Sequence, residues 1–131
     1  MATEHEHGKL DVLIVEDDRD IREAVAQLLE HSACRVRTAA NGNEALAQLA
    51  SGFIPDVILL DLYMPVMNGW SFRAAQLQHA ALADIPVVLV SGADRLHEIA
   101  LTLRAAAIHT KPIVVPVLLE LLDTFRRTSN H

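Results

Sequence analysis

The chain has 131 residues, a formal charge of −6, 51% hydrophobic residues and only 4% aromatics. That is enough for one domain with a core of Val, Leu, Ile and Ala, and the absence of any Lys or Arg cluster argues against a nucleic-acid surface. The single cysteine, Cys34, excludes an intrachain disulfide and fits a reducing compartment. No apolar stretch approaches the ~18 residues of a membrane span, and the polar opening MATEHEHGK lacks the apolar segment of a secretion signal. A soluble, cytoplasmic protein is expected, with flexible tails at 1–8 and 129–131 around one domain at 9–128.

Leu10–Val15 (LDVLIV) is an apolar run of strand length. Behind it, Ile21, Ala24, Val25, Leu28 and Leu29 recur at the spacing of one helix face. CRVRT, from Cys34 to Thr38, alternates like a half-exposed strand. Asn41 followed by Glu44 has the capping-box arrangement at the start of a helix through NGNEALAQLA. Asp56–Asp61 (DVILLD) reads as a short buried strand behind Pro55, and GWSFRAAQLQ as a third helix in which Trp70 packs. Ile85–Ser91 (IPVVLVS) is another buried strand, Asp94 to Ala105 is helical in composition, and Ala107–Thr110 (AIHT) is a short fifth strand. Pro116 suits the first turn of a last helix with Leu118, Leu119, Leu122 and Phe125 on its apolar face. Apolar strands alternating with helices imply an α/β fold, a parallel sheet covered on both faces.

In such sheets ligands bind beyond the carboxyl ends of the strands. The first strand ends in Glu16 and Asp17, the third in Asp61, the fourth in Ser91 and the fifth in Thr110 and Lys111. Three carboxylates within ~4–5 Å of one another repel by a few kcal/mol per pair at an effective dielectric of ~20. Either one takes up a proton or a hard divalent cation binds, and an all-oxygen open crevice suits Mg²⁺. A cation, a lysine and a hydroxyl around a carboxylate nucleophile are the parts of phosphoryl transfer to an aspartate. Asp18, the next acidic residue, is read as a helix N-terminus.

The set VLIVEDD, DVILLDLYMPVMNG, IPVVLVSGA and KP, in that order, resembles the receiver domain of two-component response regulators over roughly Lys9 to Thr128. The resemblance implies a five-stranded, doubly wound, flavodoxin-like sheet of order 2-1-3-4-5 with five helices. It implies that Asp61 accepts a phosphoryl group from a histidine kinase or a histidine phosphotransfer protein. Glu16 and Asp17 would be the acidic pair, with Asp17, Asp61 and the Tyr63 carbonyl on Mg²⁺. Ser91 would turn toward the phosphoryl group, Lys111 would be its cationic partner, and the Lys111–Pro112 bond would be cis. Tyr63 and Ala93 occupy the two positions that tune phosphoryl lifetime in the family, and a bulky Tyr63 should slow hydrolysis.

Three features depart from the family pattern. The switch position three residues before the lysine is Ile108, where an aromatic is common. The segment from Ser91 to Lys111 is about two residues short, which should truncate the fourth helix or the loop leading into it. Arg104-Ala105 stands where Gly-Ala is frequent. The implied activity is that of a signalling phosphoacceptor that catalyses only its own phosphorylation and slow dephosphorylation. A monomer or weak dimer with an unknown downstream partner is expected, and a single-domain regulator is favoured over a fragment of a longer one. The alternatives are an aspartyl-nucleophile phosphohydrolase, disfavoured because the first strand has no D-x-D, and a receiver that binds partners without phosphorylation. His5 and His7 are read as tail residues. His31, His79, His97, His109 and His131 share no ligand spacing, and Cys34 is read as a core residue.

Overall fold

In a computed structural model, residues 8–126 are described; His5, His7, His131, Thr128 and most of both expected tails lie outside them. Strands β1 (Leu10–Val15), β2 (Cys34–Ala39), β3 (Val57–Leu60), β4 (Val87–Ser91) and β5 (Ala107–Thr110) form one parallel sheet in the order β2-β1-β3-β4-β5. They alternate with α1 (Arg19–Glu30), α2 (Gly42–Ala50), α3 (Gly69–Leu77), α4 (Leu96–Leu103) and α5 (Val115–Asp123). This is the five-strand, five-helix order expected from the resemblance, and the Lys111–Pro112 peptide is cis.

The central strands are apolar along their whole length because both of their faces are buried. Leu13, Val15, Ile58, Leu60, Val87 and Leu89 point into one layer, which Ala45 and Leu49 of α2, Phe72 of α3 and Leu96 of α4 complete. Val12, Ile14, Val57, Leu59, Val88 and Val90 point into the other, against Val25 and Leu29 of α1 and Leu118 and Leu122 of α5. Each fully buried Leu among these contributes about 1.5–3 kcal/mol relative to exposure. Cys34 is part of the second layer, buried at the start of β2.

Side-chain caps start three helices. Asp18 Oδ1 accepts from the Ile21 N–H (3.1 Å), Asn41 Oδ1 from Glu44 (2.9 Å) and Asn68 Oδ1 from Ser71 (2.9 Å). The return bond of the expected capping box reaches one residue further back, because Glu44 Oε1 accepts from the Ala40 N–H at 2.8 Å. Helix α4 is shorter than the span Asp94 to Ala105 suggested by composition. Arg95 before it and Arg104 after it both adopt the left-handed region, with φ of 59° and 56°, and each ends the helical run. Arg104 thus stands at the backbone position that favours glycine.

Two strands are also shorter than expected. Asp56 stays outside β3, its carboxylate accepting from the Asp11 N–H at 2.9 Å, and β4 begins after Pro86, which has no N–H to give a ladder. On α1 the buried stripe is narrower than the periodicity implied, since Val25 and Leu29 are buried while Leu28 is 47% exposed.

His109, buried in β5, accepts at Nε2 from the Val114 N–H at 3.1 Å, just ahead of α5. The ring must be neutral at that nitrogen, and burial pushes its pKa below the ordinary 6.5. The unfolded chain therefore takes up this proton first. The stabilising contribution is complete above pH 6.5 and is lost as pH falls from there through the folded value. Urea midpoints at pH 7.5 and 5.5 should fall further for the native protein than for His109→Gln, which keeps an acceptor that does not titrate; equal losses would assign the pH dependence elsewhere.

Candidate functional site

Register builds the site. Val15 pairs with Leu60, so the residues that follow, Glu16 and Asp61, emerge side by side, and the Asp61 N–H donates to the Val15 carbonyl at 3.0 Å. Ser91 pairs with Thr110, and the Lys111 N–H donates to the Ser91 carbonyl at 3.0 Å. From that anchor Lys111 Nζ donates to Glu16 Oε1 at 2.7 Å and to Asp61 Oδ2 at 3.3 Å. Glu16 Oε2 also accepts from the Asp18 N–H (3.1 Å), and Asp61 Oδ1 accepts from the Leu62 N–H (2.7 Å). Glu16 and Asp61 are 5% and 6% exposed, whereas Asp17 is open to solvent. One carboxylate oxygen from each of Glu16, Asp17 and Asp61 lies within 4.8 Å of the other two.

The electrostatics follow from burial. Desolvation pushes the Glu16 pKa above its ordinary 4.5, the Asp61 charge adds to this, and the bonds from Lys111 and the Asp18 N–H work against it. For Lys111, burial alone would lower the pKa, but the Glu16 hydrogen bond and the two carboxylate charges outweigh it and hold the ammonium above its ordinary 10.5. One monocation faces three carboxylates, so the cluster still favours additional positive charge. Its all-oxygen donors, crowded and partly open through Asp17, fit a hard divalent cation.

The segment between β3 and α3 is tightly fixed. A Cβ on Gly69 would lie 2.5 Å from the Asp61 carbonyl oxygen and 2.9 Å from Leu62 Cα, both backbone atoms that cannot move aside. Only glycine lets α3 begin directly against the backbone of Asp61. Within this segment Val66 takes a φ of 68°, a strained conformation for a β-branched residue. It is held by the Met67 N–H on the Pro65 carbonyl (2.7 Å) and the Gly42 N–H on the Met67 carbonyl (2.9 Å). Tyr63, 61% exposed, meets the edge of Trp70 at 5.4 Å between ring centroids and 65° between planes.

The structure thus gathers Glu16, Asp17, Asp61 and Lys111. Ser91 closes the neighbouring strand end, fully buried, and its Oγ accepts from the Ala93 N–H at 3.2 Å. Ile108 lies apart from the carboxylates, half-buried between β5 and α4 beside a groove of about 350 Å³ that Leu101 and Arg104 also line. Trp70 packs half-buried on the first layer, as expected. Sequence reasoning missed Arg73 and Gln76, two polar residues of α3 that are buried in the apolar layer. Their spacing of three places both on one helix face, a pattern that by itself reads as a solvated face.

Comparison with known proteins agrees with this fold. The sequence pattern of the response regulator receiver domain matches residues 12–123. The chain belongs to the response regulator receiver family. Protein PilG of Pseudomonas aeruginosa is 32% identical over 95 residues, covering 72% of this chain and 70% of PilG. The receiver protein Anae109_2439 of Anaeromyxobacter is 38% identical over 114 residues, covering 83% of this chain and 45% of that protein. The solved chemotaxis regulator CheY4 of Vibrio cholerae superimposes with a TM-score of 0.80 at 30% identity, over 89% of this chain and 98% of CheY4. The curated relatives are often longer: the receiver spans 17% of the regulator DctD of Rhizobium meliloti and 45% of Anae109_2439. Receiver domains of this family belong to two-component response regulators. Among the described residues no helix is long and apolar enough to cross a membrane.

Lys111 is seated on the same two carboxylates, Glu16 and Asp61, that a divalent cation in this cluster would need. Lys111→Met should lower folding stability by roughly 3 kcal/mol, because two buried carboxylates lose their counter-charge. The same change should raise Mg²⁺ affinity by about tenfold, or ~1.4 kcal/mol. Urea denaturation and isothermal titration read the two effects, and an unchanged or weaker affinity would show that the ammonium does not occupy the cation's place.

Proposed function

We propose that Asp61 accepts a phosphoryl group from a phosphohistidine on a histidine kinase or a histidine phosphotransfer protein. A carboxylate oxygen of Asp61 forms the new P–O bond as the P–N bond to the donor imidazole breaks, leaving an acyl phosphate on the aspartate. The observation that carries this reading is the Lys111 ammonium seated on Asp61 Oδ2 at 3.3 Å while held by Glu16 at 2.7 Å. A cation fixed against the nucleophile's own carboxylate is in place to meet the oxygens of an arriving phosphoryl group without reorganising.

Glu16, Asp17 and Asp61, together with the Tyr63 carbonyl, would hold Mg²⁺. When bound, that ion supplies the positive charge that offsets the carboxylates and the incoming phosphoryl oxygens. Ser91 Oγ is assigned as a hydrogen-bond donor to the phosphoryl group; in the structure it accepts from Ala93 and keeps its own proton to give. Ser91 and Ile108 then form the switch pair, in which an aliphatic side chain follows the hydroxyl. Tyr63 and Ala93 set the lifetime of the acyl phosphate, the exposed Tyr63 ring screening it from water. The chain catalyses only its own phosphorylation and slow dephosphorylation, acting as a monomer or weak dimer.

Incubation with a small acyl-phosphate donor and Mg²⁺, followed by intact mass, should show a single added phosphate that is absent in Asp61→Asn. Phosphate retained in that variant, or repeated turnover of an unrelated phosphate ester, would end this assignment. A separate measurement concerns lifetime. Tyr63→Asn should lose its phosphate at least about threefold faster than the native protein, equivalent to about 0.7 kcal/mol of barrier. An equal or slower loss removes the shielding role.

A further inference from the structure

Arg22 ends the first turn of α1 and reaches back over the loop that leaves β1. Its Nη1 donates to the Glu16 carbonyl at 2.8 Å and makes a longer bond to the Asp17 carbonyl at 3.4 Å. Side chains on a helix lean toward its N-terminus, so position 22 covers the turn ahead of its own Cα. Glu16 follows Val15, the last residue of β1 paired with Ala39 of β2 and Leu60 of β3. Its carbonyl has left the ladder and needs another donor, which Arg22 supplies. An arginine on a helix surface ordinarily pairs with a carboxylate one turn away. Asp18 lies four residues before Arg22, but its carboxylate accepts from the Ile21 N–H. Among the described residues no carboxylate forms an ion pair with Arg22. The half-buried guanidinium also stands at the end of the helix where the macrodipole disfavours a cation. The negative charge of the Glu16–Asp17 pair, whose main chain it holds, offsets that cost.

Lys111 and Arg22 thus serve the acidic pair in different ways. Lys111 occupies carboxylate oxygens of Glu16 and Asp61. Arg22 occupies main-chain oxygens and takes none of the carboxylate oxygens that a cation would use. Glu16 is also fixed through its side chain, by Lys111 and by the Asp18 N–H. Asp17 is open to solvent. Its position is set through the main chain, by Arg22 and by the cap at Asp18 that follows it.

We propose that Arg22 is a positioning residue for the cation site: by tying the carbonyls of Glu16 and Asp17 to α1, it holds the Asp17 carboxylate where a divalent cation shared with Glu16 and Asp61 can use it. The proposal rests on the reading of these three carboxylates as the cation site that serves Asp61. Arg22 touches neither the cation nor the phosphoryl group. Without it the Asp17 carboxylate ranges through solvent, and the binding ion must supply the order that the native loop already has. Removing a positive charge from the neighbourhood would by itself strengthen cation binding. A weaker affinity therefore identifies bracing, and a stronger one identifies repulsion.

Isothermal titration of the full chain with Mg²⁺ tests this, with urea midpoints measured alongside. Arg22→Met should bind Mg²⁺ about tenfold more weakly than the native protein. Both bonds come from the single nitrogen Nη1, so Arg22→Lys should restore the affinity to within about threefold. An unchanged or stronger affinity in Arg22→Met overturns the proposal. A loss that lysine does not restore also overturns it, because such a loss belongs to packing. Phosphate uptake from a small acyl-phosphate donor gives a second readout. Arg22→Met should need about tenfold more Mg²⁺ for half-maximal uptake and should recover its rate at saturating Mg²⁺; a rate that stays low there overturns a role exerted through the cation. If Arg22→Met does not fold, Arg22→Gln, neutral and shorter, takes its place, and failure of both to fold overturns the positioning role in favour of a purely structural one. Native protein that takes up no Mg²⁺ overturns the cation site and the proposal together. Protein that binds Mg²⁺ but takes up no phosphate overturns the phosphoacceptor assignment alone, and the titration still decides Arg22.

Discussion

Two carboxylates are buried side by side at the ends of β1 and β3, and a lysine from β5 lies between them. The pairing of Val15 with Leu60 leaves Glu16 and Asp61 no freedom to separate. At ~5 Å and an effective dielectric of ~20, two such charges repel by roughly 3 kcal/mol, and each has also lost water. Lys111 relieves this from a position 95 residues along the chain from Glu16. The β4–β5 register and the backbone bond from Lys111 to Ser91 therefore serve the electrostatics of strands on the far side of β4. The fold is satisfied only when the carboxyl ends of β1, β3, β4 and β5 all arrive in place. The same requirement assembles the site.

The apolar layers explain why the chemistry is confined to those ends. Every residue of β3 and β4 is buried, and Ser91, at the last position of β4, is their only polar one. A charge in a strand interior would face one of two packed layers without partners. Polar function can begin only where a strand stops and the helices no longer cover it. The close approach of α3 at Gly69 then finishes one wall of the crevice, placing the helix against the main chain of Asp61 with no side chain between.

Much of this was legible in the sequence because the strongest signals are abrupt. An apolar run ending in EDD, LLD or VSG marks both a buried strand and its chemical end, and so the residues of the cluster could be named before their distances were known. What failed to show was governed by backbone conformation or by a partner distant in sequence. Composition made α4 too long because nothing in it reports the positive φ of Arg95 and Arg104. Leu28 fell within an apolar periodicity whose outer margin the sheet does not reach. Arg73, next to Phe72 in a helix, reads as solvent-facing until the carbonyls ending α4 supply what a carboxylate usually would. The direction of the Ser91 hydroxyl, held by Ala93, depends on a turn that no residue pattern announces.

The two ends of α4 are held by different interactions. Removing the guanidinium of Arg73 would take the donor from two partly buried carbonyls and from the buried amide oxygen of Gln76, and an unpaired buried acceptor costs about 1–3 kcal/mol. At the other end the missing side-chain cap forgoes about 1 kcal/mol that such a cap ordinarily contributes, while a left-handed arginine stands at both ends. The first turn of α4 is held by burial of Leu96 in the apolar layer and the last by polar bonds from Arg73. The asymmetry follows from polar groups lying within an apolar layer, where each hydrogen bond is harder to break because no water can replace it.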